Sequence, residues 1–175
     1  MTFDYQSEGH MKKAVVVQHV QIEVESNFDD FTFHLEKALG VLMPSALYAF
    51  GATPASMVSY LNSTRMEKGL ILFNVLAQAD LTKKEFAGKI KQYQIGNQKI
   101  MHSMIRHHAG TALYTPMHLL VYETVYGKAV VEYDLPSSLF AQFDNSNILL
   151  DSLTLENDLT TLLQAAERGL DANFN

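Results

Sequence analysis

The chain has 175 residues, of which 47% are hydrophobic and none is cysteine, and its formal net charge is −6. This length suits one domain with a sizeable core, and the missing cysteines exclude disulfides, thiolate metal sites and cysteine nucleophiles. The acidic balance argues against nucleic-acid binding, which requires several phosphates to be neutralised together. The sequence shows neither a secretory leader nor an apolar run of membrane-spanning length, so we expect a cytoplasmic protein that does not enter the membrane.

The first predicted elements are a strand and a helix. The run from Ala14 to Glu25 ends in strict alternation of polar and apolar residues, which predicts a strand with one solvent-exposed face. Ser26 or Asn27 can cap the following helix by accepting a backbone hydrogen bond. Apolar residues then recur at helical spacing until Gly40 ends the helix.

The middle of the chain predicts two further strands and a capped helix. Prolines at first helical positions predict two short helices within Ser45 to Tyr60, and Asp80 to Gly88 is expected to form a helical turn. Gly69 to Leu76 has the pattern of a strand that is apolar on both faces, and Lys89 to Ile95 has that of a third strand. Asn97 is the expected cap of the next helix.

The last third predicts a hairpin and a long closing helix. Leu113 to Glu123 and Lys128 to Asp134 are two strands joined by a two-residue turn at Tyr126-Gly127, where glycine can adopt a positive φ. Apolar residues from Ile148 to Ala166 line one face of a helix that ends at Gly169. Five strands without regular β-α-β alternation predict an α+β fold, in which helices cover an antiparallel sheet.

The order of these elements predicts one domain. No repeat, low-complexity tract or linker interrupts it, so residues 13–172 are expected to fold together. Residues 1–12 lack periodicity and are expected to be a flexible lead-in.

Several motifs in this part of the chain resemble one family. In their order and spacing they are similar to the bacterial and archaeal family known as domain of unknown function 302 (DUF302), over about Gly69 to Ala166. The resemblance implies an α+β fold like that of the TATA-box-binding protein, with helices on one face of an antiparallel sheet, and assembly as a dimer. It implies neither DNA binding nor an established activity. The motifs are YQIGN (Tyr93 to Asn97), MIRH (Met104 to His107), LYTP (Leu113 to Pro116), LLVYE (Leu119 to Glu123) and EYDLPSSLFAQF (Glu132 to Phe143).

Two positions depart from the family pattern. Ala77-Gln78-Ala79 stands where an Asp-His-Gly-like triplet is expected, so chemistry that depends on that histidine is not expected here. Gly96-Asn97-Gln98 replaces Gly-Asn-Pro, which keeps the glycine and the cap but loses the rigid first helical residue. The shape of the family is therefore expected without its full set of functional groups.

The most suggestive polar cluster is formed by His102, Arg106, His107 and His108, because imidazoles titrate near neutral pH and bind metals. The three- or four-residue spacing of metal-binding helices is absent from it. Solvated or capping histidines at a helix end are the commoner explanation, and a metal site would also need His118 or an acid from another element. His107 falls on a family motif and is our first candidate for a functional histidine, but no metal or other cofactor is predicted.

Glu123 and Glu132 are candidate acid and base groups, because paired carboxylates can divide these roles. With a two-residue turn, Glu123 pairs with Val130 and Glu132 with Val121, which places both glutamates on one face of the hairpin. A solvated polar face explains them more simply. The sequence contains no nucleophile elbow, Walker loop, dinucleotide-binding glycine motif or HExxH helix, so no recognised motif identifies an enzyme.

The remaining candidates are residues that could bind a ligand. Ser137 follows Pro136 at a predicted helix start, where backbone N–H groups could hold an anion, although routine helix geometry is the commoner reason. Aromatic and methionine side chains at the family motifs can line an adaptable pocket between sheet and helices, although core filling is the commoner use of such residues. The candidate ligand-binding residues are Tyr93, Asn97, Met104, Tyr114, Tyr133 and Ser137.

These observations lead to one hypothesis and two alternatives. The hypothesis is a dimeric, non-catalytic domain that binds a small apolar or amphipathic molecule. The first alternative is an enzyme or metal-dependent protein that uses His107 with Glu123 or Glu132. The second is an interaction module that recruits a protein partner through an exposed strand edge or helix face.

Overall fold

A computed structural model describes residues 12–41, 69–77 and 88–169 of the chain. The short helices predicted within Ser45 to Tyr60 and most of the turn predicted from Asp80 to Gly88 lie outside the described residues. Two 3-10 helices, Ala109–Tyr114 and Ala141–Phe143, follow the second and third helices. The other elements are β1 (His19–Asn27), α1 (Phe28–Ala38), β2 (Gly40–Val41), β3 (Ile71–Ala77), β4 (Ile90–Gly96), α2 (Gln98–His107), β5 (Met117–Glu123), β6 (Lys128–Asp134), α3 (Pro136–Phe140) and α4 (Ser146–Arg168).

The strands form one sheet in the order β1-β6-β5-β4-β3-β2. Four pairs of neighbouring strands are antiparallel: β1 with β6, β6 with β5, β5 with β4, and β4 with β3. The two residues of β2 pair parallel to β3 at one edge. The predicted α+β fold is therefore confirmed, with five antiparallel strands, covering helices and a long final helix.

Side chains alternate between the two faces of this sheet. Leu119, Val121 and Val131 point to one face and are completely buried beneath the helices. α1 and α4 pack across this face and against each other, and α2 packs against α4. Full burial of an apolar side chain of this size contributes about 1.5–3 kcal/mol, so this layer stabilises the fold substantially. The opposite face carries half-buried or exposed side chains such as Tyr122 and His118.

Side-chain caps fix the helix ends where the sequence predicts them. The Asn27 side chain accepts a hydrogen bond from the Asp30 N–H at 2.9 Å, and the Asn97 side chain accepts from the N–H groups of Lys99 and Ile100. Gly169 has a φ of 65° and closes α4 in the left-handed conformation that glycine favours. Because these signals are local, they could be recognised without knowledge of the packing.

The hairpin between β5 and β6 was predicted in the wrong register. Glu123 pairs with Ala129 and Glu132 pairs with Leu120, one residue away from the predicted partners. A shift by one residue moves side chains to the other face. The two glutamates therefore lie on opposite faces of the sheet, and the predicted shared face is wrong.

The turn explains this error. The Thr124 N–H donates to the Lys128 carbonyl at 2.8 Å, and the Gly127 N–H donates to the Thr124 carbonyl at 2.9 Å. Three residues, Val125 to Gly127, therefore form the loop instead of the predicted two, and Gly127 adopts a φ of 79°. This is the three-residue hairpin loop that closes with a left-handed glycine.

Two predicted strands begin too early. β1 starts at His19 instead of Ala14, because β6 ends at Asp134 and residues 14–18 extend past that end. The segment contacts α3 instead, where the Gln18 N–H donates to the Ser138 hydroxyl at 2.9 Å. β5 starts at Met117, because the predicted strand start at Leu113 lies in the 3-10 helix.

Candidate functional site

The described residues form a groove of about 160 Å³ between α4 and two strands, the edge strand β1 and its neighbour β6. Its strand residues point to the helix-covered face of the sheet. Its helix residues recur at the spacing of a single helical stripe, beside the stripe that enters the core. The lining residues are Ile22, Val24, Val131, Tyr133, Thr160, Leu163, Gln164 and Glu167.

Two carboxylates of α4 fix the position of the helix along β1 and β6. Near the middle of the helix, Glu156 accepts a hydrogen bond from the Ser137 N–H at 2.5 Å, just beyond the end of β6. Near its C-terminus, Glu167 accepts one from the Glu25 N–H at 3.1 Å. The Ser26 hydroxyl adds a bond to the Glu167 carbonyl. The groove therefore runs from Tyr133 at one end to Glu167 at the other.

The groove combines an apolar centre with polar groups at its ends. Ile22 exposes 37% of its surface at the mouth, whereas Val24 and Val131 are buried beneath it. Tyr133 is half-buried, and within the described part of the chain no protein group forms a hydrogen bond with its hydroxyl. Burial first, and the nearby Glu156 carboxylate second, raise the pKa of Tyr133. Its hydroxyl therefore stays protonated at neutral pH and is able to bond a ligand.

A second polar cluster lies on the opposite face of the sheet. His19 Nδ1 lies 3.0 Å from Asp134 Oδ1, and His19 Nε2 lies 3.3 Å from Glu132 Oε2. The Tyr122 hydroxyl donates to Glu132 Oε1 and accepts from Gln21 Nε2, both at 2.8 Å. The hydrogen bonds to Asp134 and then Glu132 raise the pKa of His19. This open-face cluster ties the edge strand β1 to β6 and β5.

The histidines at the end of α2 are separated from the candidate glutamates. His107 is exposed, and no hydrogen bond or ion pair joins it to either Glu123 or Glu132 among the described residues. Glu123 instead accepts the Lys89 N–H at 3.3 Å. Within the three described ranges, no three His, Asp or Glu side chains are grouped to hold a metal ion.

His108 and His118 have local partners. His108 Nδ1 accepts the Gly110 N–H at 3.0 Å, and its ring lies 4.8 Å from that of Phe143. His108 therefore caps the 3-10 helix that follows α2. His118 lies on the open face, where its Nε2 is 3.3 Å from Gln94 Nε2.

Tyr93 and Met104, two of the predicted ligand-binding residues, are completely buried in the core. The Tyr93 hydroxyl donates to Glu36 Oε1 at 2.8 Å, and Lys91 Nζ donates to the same oxygen at 2.8 Å. Burial, followed by the bond to Glu36, raises the pKa of Tyr93 far above its usual range. This cluster, which is buried at Tyr93 and open to solvent at Glu36 and Lys91, attaches α1 to β4.

The other predicted ligand-binding residues are divided between structural contacts and the groove. Asn97 caps α2, and its side chain also bonds to Asp158 of α4. The Tyr114 ring packs edge-on against Phe140 with ring centroids 6.2 Å apart. The Ser137 N–H, predicted to hold an anion, bonds to Glu156. Of the six, Tyr133 is the one found in the lining of the groove.

Most residues of the groove were not among the sequence candidates. Thr160, Gln164 and Glu167 continue a mixed polar stripe along α4, and Ile22 belongs to the alternating run of β1. The stripe can be recognised in the sequence, but the strand against which it packs cannot. Glu25 and Glu167, whose contact sets the position of α4, are 142 residues apart. Among the described helices, none combines the length and the hydropathy that crossing a bilayer requires.

Comparisons with known proteins give a family and a fold. The family model described as "Domain of unknown function DUF302" matches residues 49–166. The fold is similar to the crystal structure of the uncharacterized conserved protein DUF302 from Bacillus stearothermophilus, with a TM-score of 0.60 and 12% sequence identity. That alignment covers 85% of this chain and 97% of the other. No curated protein matches the chain.

Proposed function

Since this chain belongs to the DUF302 family, whose function is unknown, we propose a function from its own geometry: binding of one small amphipathic molecule in the groove, without catalysis. The observation that carries the proposal is the apolar centre of the groove, where Ile22 exposes 37% of its surface above the buried Val24 and Val131. The Tyr133 hydroxyl at one end has no protein partner in the described residues, but it reaches solvent, so water can bond it in the free protein. A molecule that covers Ile22 removes this apolar surface from water, and the polar groups at the ends of the groove can bond its polar group.

The size of the groove limits the ligand. A dry cavity of about 150 Å³ holds a molecule the size of benzene. The groove has a similar volume of about 160 Å³ but is open on one side. The proposed ligand therefore has an apolar body of about six carbon atoms and carries a hydrogen-bonding group.

Binding of hexan-1-ol tests this proposal. Nuclear magnetic resonance titration should shift the amide signals of Ile22, Val131 and Leu163 in a saturable manner. Ile22→Phe places a larger side chain in the mouth of the groove and should weaken binding at least about tenfold, since steric exclusion removes most of the contact area. Val75→Phe is the matched control, because Val75 is a similarly exposed β-branched residue on β3. Titration without saturable shifts, or equal affinity in both variants, would contradict the proposal.

The enzyme alternative has less support than ligand binding. It requires His107 to act with Glu123 or Glu132, and among the described residues no hydrogen bond or ion pair joins His107 to either of them. The groove residues carry no arrangement of nucleophile and base, although Tyr133 and Glu167 are polar. We retain the cytoplasm as the proposed location, because the cysteine-free composition suits a reducing compartment.

The predicted homodimer has a candidate interface at the outer edge of β1. No described strand pairs with this edge. The Leu135 N–H donates to the Gln18 carbonyl at 2.8 Å, so the backbone of Gln18 faces β6. Backbone directions alternate along an antiparallel strand. The N–H and C=O groups of His19, Gln21 and Glu23 therefore point outward, where a second copy could bond them.

One antiparallel register makes this edge complementary to itself. With Gln21 opposite its own copy, His19 faces Glu23 and Val20 faces Ile22. The first pair joins an imidazole to a carboxylate, and the second joins two apolar side chains. We propose this register for the dimer.

Light scattering during size-exclusion chromatography tests the interface. Gln21→Pro removes the central outward N–H and should produce a monomer. Gln21→Ala removes the same side-chain bond to Tyr122 but retains the N–H, so it should remain dimeric. A monomeric wild-type protein, or a dimer that survives Gln21→Pro, would exclude this interface.

A further inference from the structure

We infer that the ligand of the groove carries a positive charge and is a short-chain primary ammonium ion. This inference rests on the proposed function, and it is carried by the charges at the two ends of the groove. Glu167 lies at one end. Glu156 lies about one turn before Thr160 on α4, and its carboxylate accepts the Ser137 N–H just beyond the Tyr133 end of the groove.

The described lining of the groove contains no lysine, arginine or histidine. The ring of His34 packs beside Gly169 at the end of α4, outside that lining. Lys128 forms ion pairs on the other side of β1, where its Nζ lies 2.9 Å from the Glu25 carboxylate and 3.9 Å from the Glu23 carboxylate. Arg168 follows Glu167 directly, but adjacent residues project about 100° apart around a helix. An anionic ligand such as a fatty acid would therefore meet like charges without a cationic partner.

Glu167 is also unusually placed for a carboxylate. It lies two residues before Gly169, in the last turn of α4, where the helix dipole is negative and favours cations. A structural role explains one of its oxygens, which accepts the Glu25 N–H. The second oxygen, beside the negative helix end, is placed to hold an ammonium group, with the apolar chain directed along Ile22 and Leu163 toward the ring of Tyr133, whose hydroxyl keeps its water partner.

Three probes with the same six-carbon chain separate charge from apolar contact: hexylammonium, hexan-1-ol and hexanoate. At neutral pH we expect hexylammonium to bind about fivefold more tightly than hexan-1-ol, which is the scale of a partly exposed ion pair. Hexanoate should bind more weakly than both. The advantage of hexylammonium over hexan-1-ol should shrink as sodium chloride is added, because salt screens exposed charges.

Glu167→Gln is the decisive variant, because it removes the charge and retains an oxygen that can accept the Glu25 N–H. It should reduce the affinity for hexylammonium to about that of hexan-1-ol and leave hexan-1-ol unchanged. Glu123→Gln is the matched control and should retain the preference, because Glu123 also accepts a backbone N–H but lies outside the lining of the groove.

The outcomes distinguish the two proposals. If none of the three probes binds, the proposed function fails and this inference fails with it. If hexan-1-ol binds at least as tightly as hexylammonium, or if Glu167→Gln retains the preference for hexylammonium, the groove still binds a ligand but the assignment of its charge is wrong.

Discussion

His19 is the residue whose protonation most directly links the edge strand to the rest of the sheet. Its ring bridges Asp134 and Glu132, and both bonds raise the pKa of His19 above the value of about 6.5 found in an unfolded chain. A raised pKa means that the folded state binds the proton more tightly. The stability that protonated His19 provides is fully present below the pKa that His19 has in the unfolded chain. It is lost as the pH rises through the higher pKa of His19 in the folded protein.

We therefore predict that His19→Asn destabilises the protein more in acid than in alkali. The difference in the free energy of unfolding between wild type and variant should be larger at about pH 5.5 than at about pH 8.5. Urea denaturation at both pH values measures it. Asp134→Asn removes the main cause of the raised pKa and should reduce the same difference. A difference that is constant across this range would contradict the role assigned to His19.

Tyr93 shows what a buried hydroxyl contributes when its partner is charged. It is completely buried and donates to Glu36 at 2.8 Å. We predict that Tyr93→Phe lowers the free energy of unfolding by about 2 kcal/mol, because hydrogen bonds to charged groups are worth about 1.5–3 kcal/mol. Tyr114→Phe is the control, since its half-buried hydroxyl lies 3.5 Å from Gln142 and should cost less. Chemical denaturation compares the two variants, and equal losses would contradict this account.

At the scale of elements, Gly127 determines the register of the β5–β6 hairpin. Its φ of 79° is strained for residues with a Cβ atom, although the space around it is open. Gly127→Ala should therefore cost about 1–2 kcal/mol through backbone strain alone. Val125→Ala, in the same loop at 92% exposure, should change stability by less than about 0.5 kcal/mol. Denaturation midpoints test both expectations, and a neutral Gly127→Ala would show that the turn does not hold the register.

The elements also show how far the sequence predicts the fold. The caps at Asn27 and Asn97 and the stop at Gly169 depend on a few neighbouring residues, and the structure confirms them. The register of the hairpin was predicted wrongly, because a loop of two residues and a loop of three residues both fit the same Tyr126-Gly127 signal. The candidate site was harder to predict, because its two walls meet through contacts between distant parts of the chain. Tyr133 was the residue that could be recognised, since it lies on a family motif.

At the scale of the whole molecule, the groove lies beside the edge strand that we propose as the dimer interface. Ile22 belongs to both, because its side chain lines the groove and, in the proposed register, lies opposite Val20 of the second copy. The resemblance to the TATA-box-binding-protein architecture stays a prediction. The confirmed α+β arrangement explains the position of the groove. The groove forms at the edge of the sheet because α4 leaves that edge uncovered.

Ligand binding at this position should stabilise the whole chain, because a ligand that binds only the folded state shifts unfolding by mass action. At about one hundred times the dissociation constant, hexylammonium should add about 2.7 kcal/mol, which raises the melting temperature of a chain of this size by about 5–10 °C. Ile22→Phe, which should bind at least about tenfold more weakly, should retain no more than about half of this shift, whereas Val75→Phe should retain all of it. Differential scanning calorimetry measures each of the three proteins with and without hexylammonium, so that each variant serves as its own reference for any change in dimerisation. An equal rise in Ile22→Phe would place the ligand elsewhere on the molecule.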